Sequence, residues 1–238
     1  KVSPKQIENA ITDNTKMFMF SSPCNPSGSV YTEDELREIA EVFKKYPNIY
    51  IVSDEIYEHI NFTDKHFSIG TIDSLKDRVI TVNGVSKGFA MTGWRVGFIG
   101  APLWIAKACN KIQGQVTSAT CAIAQKATEE AMNADPKIVT NEMKNSFLKR
   151  RDLLLEKLNS IKGIKCNIPD GAFYIFPDVS YFFGKSDGDK VIKNADDLCM
   201  YLLNSCYVAL VSGAPFGNPE CVRISYAASE NNLIEAAK

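Results

Sequence analysis

The stretch 83-NGVSKGFAMTGWRVGF-98 decides how the rest of this sequence is interpreted. One lysine, Lys87, stands among Gly, Ser and Ala, and Arg95 follows it within an otherwise apolar run. The segment 79–83 directly upstream has the composition of a strand buried on both faces. Small residues after a strand leave room for a ligand to approach the backbone. We therefore expect a ligand site around Lys87, although a solvated lysine on a strand-to-helix turn is the common alternative for such a residue.

Strand-like and helical patterns alternate on both sides of this stretch. Apolar runs predict strands at 17–22, 49–53, 79–83 and 95–101. A helix over 33–46 is predicted to begin after Thr32, with a capping box completed by Glu35. Alternation of this kind indicates an α/β fold with a largely parallel sheet, and the run at 49–53 reads as a strand buried on both faces.

The pattern changes in the second half of the chain. Helical periodicity covers 103–113, 119–133 and a long charged segment, 137–161. Short β-like pieces follow at 164–168, 172–177, 207–211 and 221–227, and 184–190 is predicted to be an exposed loop. Another helix is predicted over 195–205 and a further one beginning near Glu230. We predict a first domain over 1–132 and a smaller α+β domain over 133–238, joined by the long helix.

Bulk composition excludes several classes of protein. The net charge of −1 over 238 residues gives no electrostatic reason to expect nucleic acid as a partner. No apolar run has the length of a membrane span, so no membrane association is expected. Seven irregularly spaced cysteines and two histidines disfavour both a disulfide framework and a metal site. Reduced, mostly buried thiols in a cytosolic protein are the simpler expectation.

Three polar residues are predicted to lie at the carboxyl ends of neighbouring strands. Asn25 follows the first strand, Asp54 the second and Lys87 the third. Ligands of open α/β sheets bind at this edge, so the three side chains are expected to converge. Each residue has an ordinary structural alternative: a turn asparagine, a helix cap or ion pair, and a surface lysine.

Two arginines interrupt apolar strand-like runs. Arg95 stands between Trp94 and Val96, and Arg223 lies inside 221-CVRISYA-227. An arginine in such a setting suits a phosphate or a carboxylate, which its planar fork can bind through two hydrogen bonds. A structural ion pair remains the alternative for both.

Taken together, these residues resemble the class I and II aminotransferases, specifically the aspartate aminotransferase-like members of the fold-type-I pyridoxal-phosphate (PLP) enzymes. The motifs SPCNPSG, VSDEIY, SKGFAMTGWRVGF, GAFYIFP and VRISYA occur in the order and at the spacing typical of that family. The resemblance implies a mostly parallel PLP-binding large domain followed by a smaller C-terminal α+β domain.

The resemblance also implies a role for each candidate residue. Lys87 would bond covalently to PLP and later move the substrate proton, and Asp54 would pair with the pyridine nitrogen. Asn25 and Tyr57 would donate hydrogen bonds to the ring oxygen, with Asn25 also near the substrate. The implied anion-binding residues are Arg95 and Ser86 for the phosphate and Arg223 for the substrate carboxylate.

One departure and one gap accompany the resemblance. Gly84 stands where some relatives carry a phosphate-binding serine, so the phosphate must depend more on Arg95 and Ser86. Segments that precede these motifs in the family are absent from the sequence. We therefore expect the chain to correspond to the C-terminal portion of an aminotransferase and to be inactive by itself.

The expected reaction moves an amino group between an amino acid, aspartate in the first place, and a 2-oxo acid such as 2-oxoglutarate. The resemblance further implies a cytoplasmic homodimer without a metal. Two alternatives share the same motifs. One is a PLP-dependent β-lyase or aminocyclopropane-carboxylate-synthase-like enzyme, and the other is an aminotransferase-like sensor domain of a transcription regulator.

Overall fold

A computed structural model of the chain describes residues 1–63 and 65–238 and divides them into two compact units. The first unit comprises residues 1–24 and 29–142, and the second comprises residues 25–28 and 143–238. The division between the two units falls inside a long helix. The domains over 1–132 and 133–238 stay a prediction. A short stretch near the N-terminus also joins the second unit.

The first unit contains a four-stranded sheet and helices. Its strands are β1 (Met17–Ser21), β2 (Tyr50–Asp54), β3 (Val79–Gly84) and β4 (Gly97–Gly100). Its helices are α1 (Pro4–Ala10), α2 (Glu33–Lys44), α3 (Leu103–Val116), α4 (Ala122–Asn133) and the first turns of α5 (Pro136–Asn159). The predicted strands and helices of this half are therefore present, with ends that differ by a few residues.

The sheet has the order β1-β2-β3-β4 and is mixed. The pairs β1/β2 and β2/β3 are parallel, as expected, whereas β4 runs antiparallel to β3. A parallel neighbour requires a crossover that returns over the sheet, usually a helix. The connection from β3 to β4 contains only the 3₁₀ turn Thr92–Trp94, so it reverses the chain direction.

Helix α2 covers one face of this sheet because its sequence is amphipathic and well capped. The Thr32 side chain accepts from the Glu35 amide at 3.2 Å, and the Glu35 carboxylate accepts from the Thr32 amide at 2.8 Å. The predicted apolar side of α2 is buried and packs with sheet residues such as Ile51 and Phe18. This packing is the core of the first unit.

The opposite face of the sheet is partly open, contrary to expectation. Tyr50 and Val52 are only half-buried, and Met19 on the neighbouring strand is 68% exposed. The side chains of β2 therefore alternate between a buried and a partly open face of the first unit, so the prediction of a strand buried on both faces is wrong for this chain.

The second unit is a smaller α+β arrangement. Its three-stranded antiparallel sheet has the order β5-β9-β8, and a separate two-stranded ladder joins β6 to β7. The strands are β5 (Tyr174–Ile175), β6 (Ser186–Asp187), β7 (Lys190–Val191), β8 (Val211–Ser212) and β9 (Val222–Ser225). The helices, apart from the rest of α5, are α6 (Ala195–Cys206) and α7 (Glu230–Ala236).

Several β-like predictions in this half are shorter than expected. The segment 164–168 forms only an isolated bridge from Lys165 to Asp178, and the segment 184–190, predicted as a plain loop, carries the β6/β7 hairpin. Within the described residues, no helix combines the length and apolar character that crossing a membrane requires.

Candidate active site

The first unit presents Asp54 at the carboxyl edge of its sheet. Asp54 is the last residue of β2, level with Ser21 of β1 and Val82 of β3. Its half-buried carboxylate accepts a hydrogen bond from the Ile56 amide, with an N to Oδ1 distance of 3.1 Å. The local turn therefore fixes the orientation of this carboxylate, as expected for a group that pairs with a ligand atom.

Tyr57 and Lys87 meet at the same edge. Tyr57 lies in the turn after β2 and is only 4% exposed, whereas Lys87 and the adjacent Ser86 follow β3 and are half-buried. The Lys87 Nζ lies 6.0 Å from the centre of the Tyr57 ring. The structure thus brings together the lysine, the phenol and the strand-end carboxylate, which the sequence placed on separate segments.

Arg95 approaches the edge from a loop and not from within a strand. It adopts a left-handed backbone conformation with φ of 58°, two residues before β4 begins, so its predicted place inside a strand is corrected. Its exposed guanidinium donates from Nη1 to the Thr92 carbonyl at 2.9 Å. Since Gly97 of β4 pairs with Gly84 of β3, Arg95 lies at the same end of the sheet as Lys87. Arg95 also lines a groove of about 800 Å³, whose other lining residues lie within 93–94 and 113–124.

Glycines around Lys87 serve protein packing, which differs from the expected role. A Cβ added to Gly84 would lie 2.8 Å from the Val96 carbonyl oxygen, and one added to Gly88 would lie 2.5 Å from His59 Cδ2. Real Cβ atoms essentially never approach other atoms so closely. The space at these two positions is therefore filled by the chain itself, whereas a Cβ added to Gly93 would meet no atom within 4 Å.

Asn25 and Arg223 form a contact within the second unit. Arg223 lies on β9, and its Nη1 donates to Asn25 Oδ1 at 2.9 Å. The rest of the 25–28 segment is held by the same unit, because Asn167 Nδ2 donates to the Ser27 carbonyl at 2.6 Å. With Oδ1 occupied as an acceptor, the Asn25 amide nitrogen is oriented as a donor, which suits the role that the resemblance implies.

Two aromatic rings flank the Arg223 guanidinium. Its Cζ lies 4.6 Å from the Tyr174 ring centre and 5.1 Å from that of Phe216, distances at which cation–π attraction operates. Its buried Nε has no hydrogen-bond partner within the described chain. A guanidinium has donors that a carboxylate can bind through two hydrogen bonds, and nearby rings restrict the freedom of this one. Tyr174 belongs to the motif GAFYIFP, whereas Phe216 lies outside the motifs named above, so the sequence did not predict this pair of rings.

A buried polar network, which was not predicted from the sequence, lies beside Asp54. Glu55, 3% exposed, accepts from the hydroxyls of Ser53 at 2.9 Å and Ser68 at 2.6 Å and lies 2.9 Å from His66 Nε2. The alternation S-x-E at the end of β2 is the only sequence signal that could have revealed it. Such a residue requires partners because an unpaired buried carboxylate is costly.

A group of metal-ligand atoms overlaps with this network. Atoms of Glu55, Glu58 and His66 lie within 4.8 Å of one another. Hydrogen bonds already engage both carboxylates, since Asn83 Nδ2 donates to Glu58 Oε1 at 2.7 Å. We therefore interpret the cluster as a hydrogen-bond network.

The cysteines differ from expectation in exposure. All seven are free thiols, but only Cys199 and Cys221 are buried, whereas Cys109, Cys121 and Cys206 are exposed. The prediction of mostly buried thiols is wrong.

Comparison with known proteins shows the family. The model of the family described as aminotransferase class I and II matches residues 1–238, so the chain belongs to that family. It is 44% identical, over its whole length, to a bifunctional aspartate aminotransferase and glutamate/aspartate-prephenate aminotransferase of Petunia hybrida. It is 43% identical, again over its whole length, to an aspartate/prephenate aminotransferase of Nitrosomonas europaea. Among solved structures, the aspartate aminotransferase of Rhizobium meliloti is similar over all of this chain, with a TM-score of 0.94 and 40% identity.

The same comparisons limit how far the similarity extends along the relatives. The chain spans 50% of the Petunia protein, 61% of the Nitrosomonas protein and 60% of the Rhizobium structure. They support a match to part of longer proteins. The expectation that this part is the C-terminal portion of the family is not supported by them.

Proposed function

We propose that the chain is part of a PLP-dependent aminotransferase that moves an amino group between aspartate and a 2-oxo acid such as 2-oxoglutarate. The observation that carries the proposal is the meeting of Asp54, Tyr57 and Lys87 at the carboxyl edge of the first unit's sheet. Membership of the family supports it independently.

The residues at this edge have the chemistry that PLP requires. An amine can bond to an aldehyde, a fixed carboxylate can pair with a pyridine nitrogen, and an exposed guanidinium can bind a phosphate. These three groups are Lys87, Asp54 and Arg95. The Ser86 hydroxyl is a further donor for the phosphate, and Gly84 cannot take that part because it has no side chain. The donor set therefore fits the cofactor.

When bound, PLP supplies an electron sink for the charge that develops at the substrate α-carbon. The protein contributes orientation and proton control. The fixed carboxylate of Asp54 would keep the pyridine nitrogen that it faces protonated. The Tyr57 hydroxyl would donate a hydrogen bond to the ring oxygen. Lys87 acts as the base that takes a proton at Nζ and returns it. Half-burial of Lys87 limits competing hydration of that amine.

In the second unit we assign Arg223 to the α-carboxylate of the amino acid. Its guanidinium lies near the rings of Tyr174 and Phe216 and bonds to Asn25, so little side-chain freedom is lost on binding. Asn25 is assigned as a donor through its amide nitrogen. We interpret the two units as the large and small domains that the resemblance implies.

The names of the relatives support aspartate as a donor and add prephenate as a candidate acceptor. They do not favour a β-lyase, an aminocyclopropane-carboxylate synthase or a sensor domain. A homodimer in the cytoplasm remains part of the proposal.

The first test is reductive trapping. The chain is incubated with PLP, reduced with borohydride, digested and mapped by mass spectrometry. We expect Lys87 to carry the label at near-stoichiometric yield, while Lys76, which is exposed beside Asp73, stays at background. The Lys87→Ala variant should lose the label, and the matched Lys76→Ala variant should keep it. Labelling scattered over surface lysines would contradict the assignment.

The second test is turnover, measured in the longest native polypeptide that contains this chain. Aspartate is offered with 2-oxoglutarate or with prephenate, and the products are identified. A new amino acid together with oxaloacetate supports an aminotransferase. In a separate reaction with an amino acid that carries a leaving group on its β-carbon, release of that group together with ammonia and pyruvate would indicate a β-lyase.

A further inference from the structure

Glu55 is a charged residue that the proposed reaction does not use, although it adjoins Asp54 in the chain. Its side chain is buried on the α2 side of the sheet, and Oε1 accepts from both Ser53 and Ser68 while Oε2 faces His66. Every partner comes either from the end of β2 or from the 66–68 segment.

A gain in the free energy of unfolding does not explain well why Glu55 and its polar partners are buried together. Replacing a buried polar cluster by apolar residues of similar volume is often neutral or stabilising, because desolvation offsets the attraction between partners. What a fully bonded buried carboxylate does provide is a fixed geometry for the backbone that carries it. The relevant backbone here is the turn after β2.

This turn is held at several points. The Glu55 amide donates to the Val82 carbonyl at 2.9 Å, and the Glu58 amide donates to the Glu55 carbonyl at 2.9 Å. The Ile56 amide bonds to Asp54 Oδ1 at 3.1 Å. Glu55 thus lies within the segment that carries both Asp54 and Tyr57.

Ser68, which bonds to Glu55 from the 66–68 segment, is itself held in place. Ser68 caps the 3₁₀ turn Ile69–Thr71 by accepting from the Gly70 amide at 3.2 Å, and Ile69 is completely buried in the core of the first unit. A hydrogen bond from Ser68 to Glu55 therefore ties the turn to the core. His66 adds a second tie two residues earlier in the chain.

We propose that Glu55 is a positioning residue: through Ser53, Ser68 and His66 it fixes the turn that places Asp54 and Tyr57 for the reaction. The inference rests on the proposed function for its catalytic consequence, but the immobilisation of the turn can be measured without any cofactor.

The first experiment needs no cofactor and measures amide hydrogen exchange in the chain itself. Glu55→Gln keeps the size of the side chain and removes its charge, and Asp73→Asn is the control because Asp73 is an exposed carboxylate on the same β2-to-β3 connection. We expect the Ile56 and Glu58 amides to exchange about tenfold faster in Glu55→Gln than in the control. The Ile51 amide, bonded to the Arg78 carbonyl, should be unchanged.

His66 provides a second pair of variants in case Glu55→Gln folds poorly. His66→Leu removes the partner of Glu55 Oε2, whereas His66→Gln retains a donor near the same place. Faster exchange at Ile56 and Glu58 in His66→Leu, with recovery in His66→Gln, supports the proposal. Equal acceleration at Ile51 would reveal a general loss of stability and would overturn it.

The kinetic arm uses the longest native polypeptide loaded with PLP. A misplaced turn should lower kcat about tenfold in Glu55→Gln and leave KM for the amino donor within about twofold, because Glu55 does not contact the substrate. Unchanged kcat in an active wild-type protein overturns the positioning role. If Lys87 of the wild-type protein failed to bind PLP, the proposed function would be refuted. The hydrogen-exchange measurement would still decide whether Glu55 holds the turn.

Discussion

At the scale of single residues, the structure distinguishes side chains that look alike in the sequence. Arg95 and Arg223 both interrupt apolar runs, yet Arg95 is exposed in a loop and Arg223 lies near two aromatic rings. Asp54 and Glu55 are adjacent carboxylates with separate partners, one bonded to a local amide and the other to hydroxyls and a histidine. Environment, more than residue type, determines what each group can do.

The cysteines give a residue-scale prediction about reactivity. Backbone amides of Ala124 and Ile123, at the start of α4, lower the pKa of the Cys121 thiol, whereas burial raises the pKa of Cys166 to about 11. Since the thiolate is the reactive form, Cys121 should react with iodoacetamide first, and its rate should level off at a lower pH than that of a free cysteine. Only about a thousandth of Cys166 is ionised at pH 8, so its rate should still be rising at pH 9.

Alkylation rates between pH 6 and 9, followed by peptide mass spectrometry, check both expectations. The Cys121→Ser variant should lose the fastest-labelled site and leave the slow reaction at Cys166 in place. Equal rates for the two thiols at pH 8 would contradict the assignment.

At the scale of secondary-structure elements, local signals were sufficient for most of the first unit. Thr32 and Glu35 form the predicted capping box, and α2 begins at the next residue after Thr32. Register and direction were not predictable in the same way. The reversal at β4 depends on how the Lys87 loop packs, and that packing depends on glycines that touch neighbouring elements.

A pair of glycines tests this account of the β3/β4 contact. Gly84→Ala should lower the free energy of unfolding by about 1–3 kcal/mol, because the new methyl group would meet the Val96 carbonyl and the Gly97 backbone. Gly93→Ala is the matched control, since a Cβ there has no atom within 4 Å, and it should change stability by less than about 0.5 kcal/mol. Urea unfolding of both variants gives the comparison, and equal effects would show that the contact is not tight.

The Gly84 result also bears on the family pattern. A serine at this position, which the resemblance allows, would require β4 to shift before it fits. Phosphate binding by Arg95 and Ser86 remains our proposal.

At the scale of the whole molecule, a short N-terminal segment belongs to a unit formed mostly by distant residues. Residues 25–28 join the second unit because Asn167, Asp170 and Gly171 bond to the Ser27 and Gly28 carbonyls. Gly28 has φ of +66°, and an added Cβ would lie 2.4 Å from Pro169, so no other residue fits there without strain. This arrangement also brings Asn25 to Arg223.

The contact between Asn167 and Ser27 gives a whole-molecule prediction. Asn167→Ala removes the 2.6 Å hydrogen bond to the Ser27 carbonyl and should loosen the 25–28 segment. The Asp170 and Gly171 amides, which bond to the Gly28 carbonyl at 2.8 and 2.9 Å, should then exchange about tenfold faster. Asn204→Ala is the control, because Asn204 bonds only to Met200 within α6. Unchanged protection at Asp170 and Gly171 would mean that other contacts hold the segment.

The sequence by itself determined the helices, the strands of the first unit, the capping box of α2 and the motifs around Lys87, and through them the family. These features depend on neighbours within a few positions, where propensity and periodicity act. The tertiary structure decided the antiparallel β4, the filling of space at Gly84 and Gly88, the network around Glu55 and the pairing of Asn25 with Arg223. Each of these depends on residues far apart in the chain, whose contacts exist only when the core has brought their elements together.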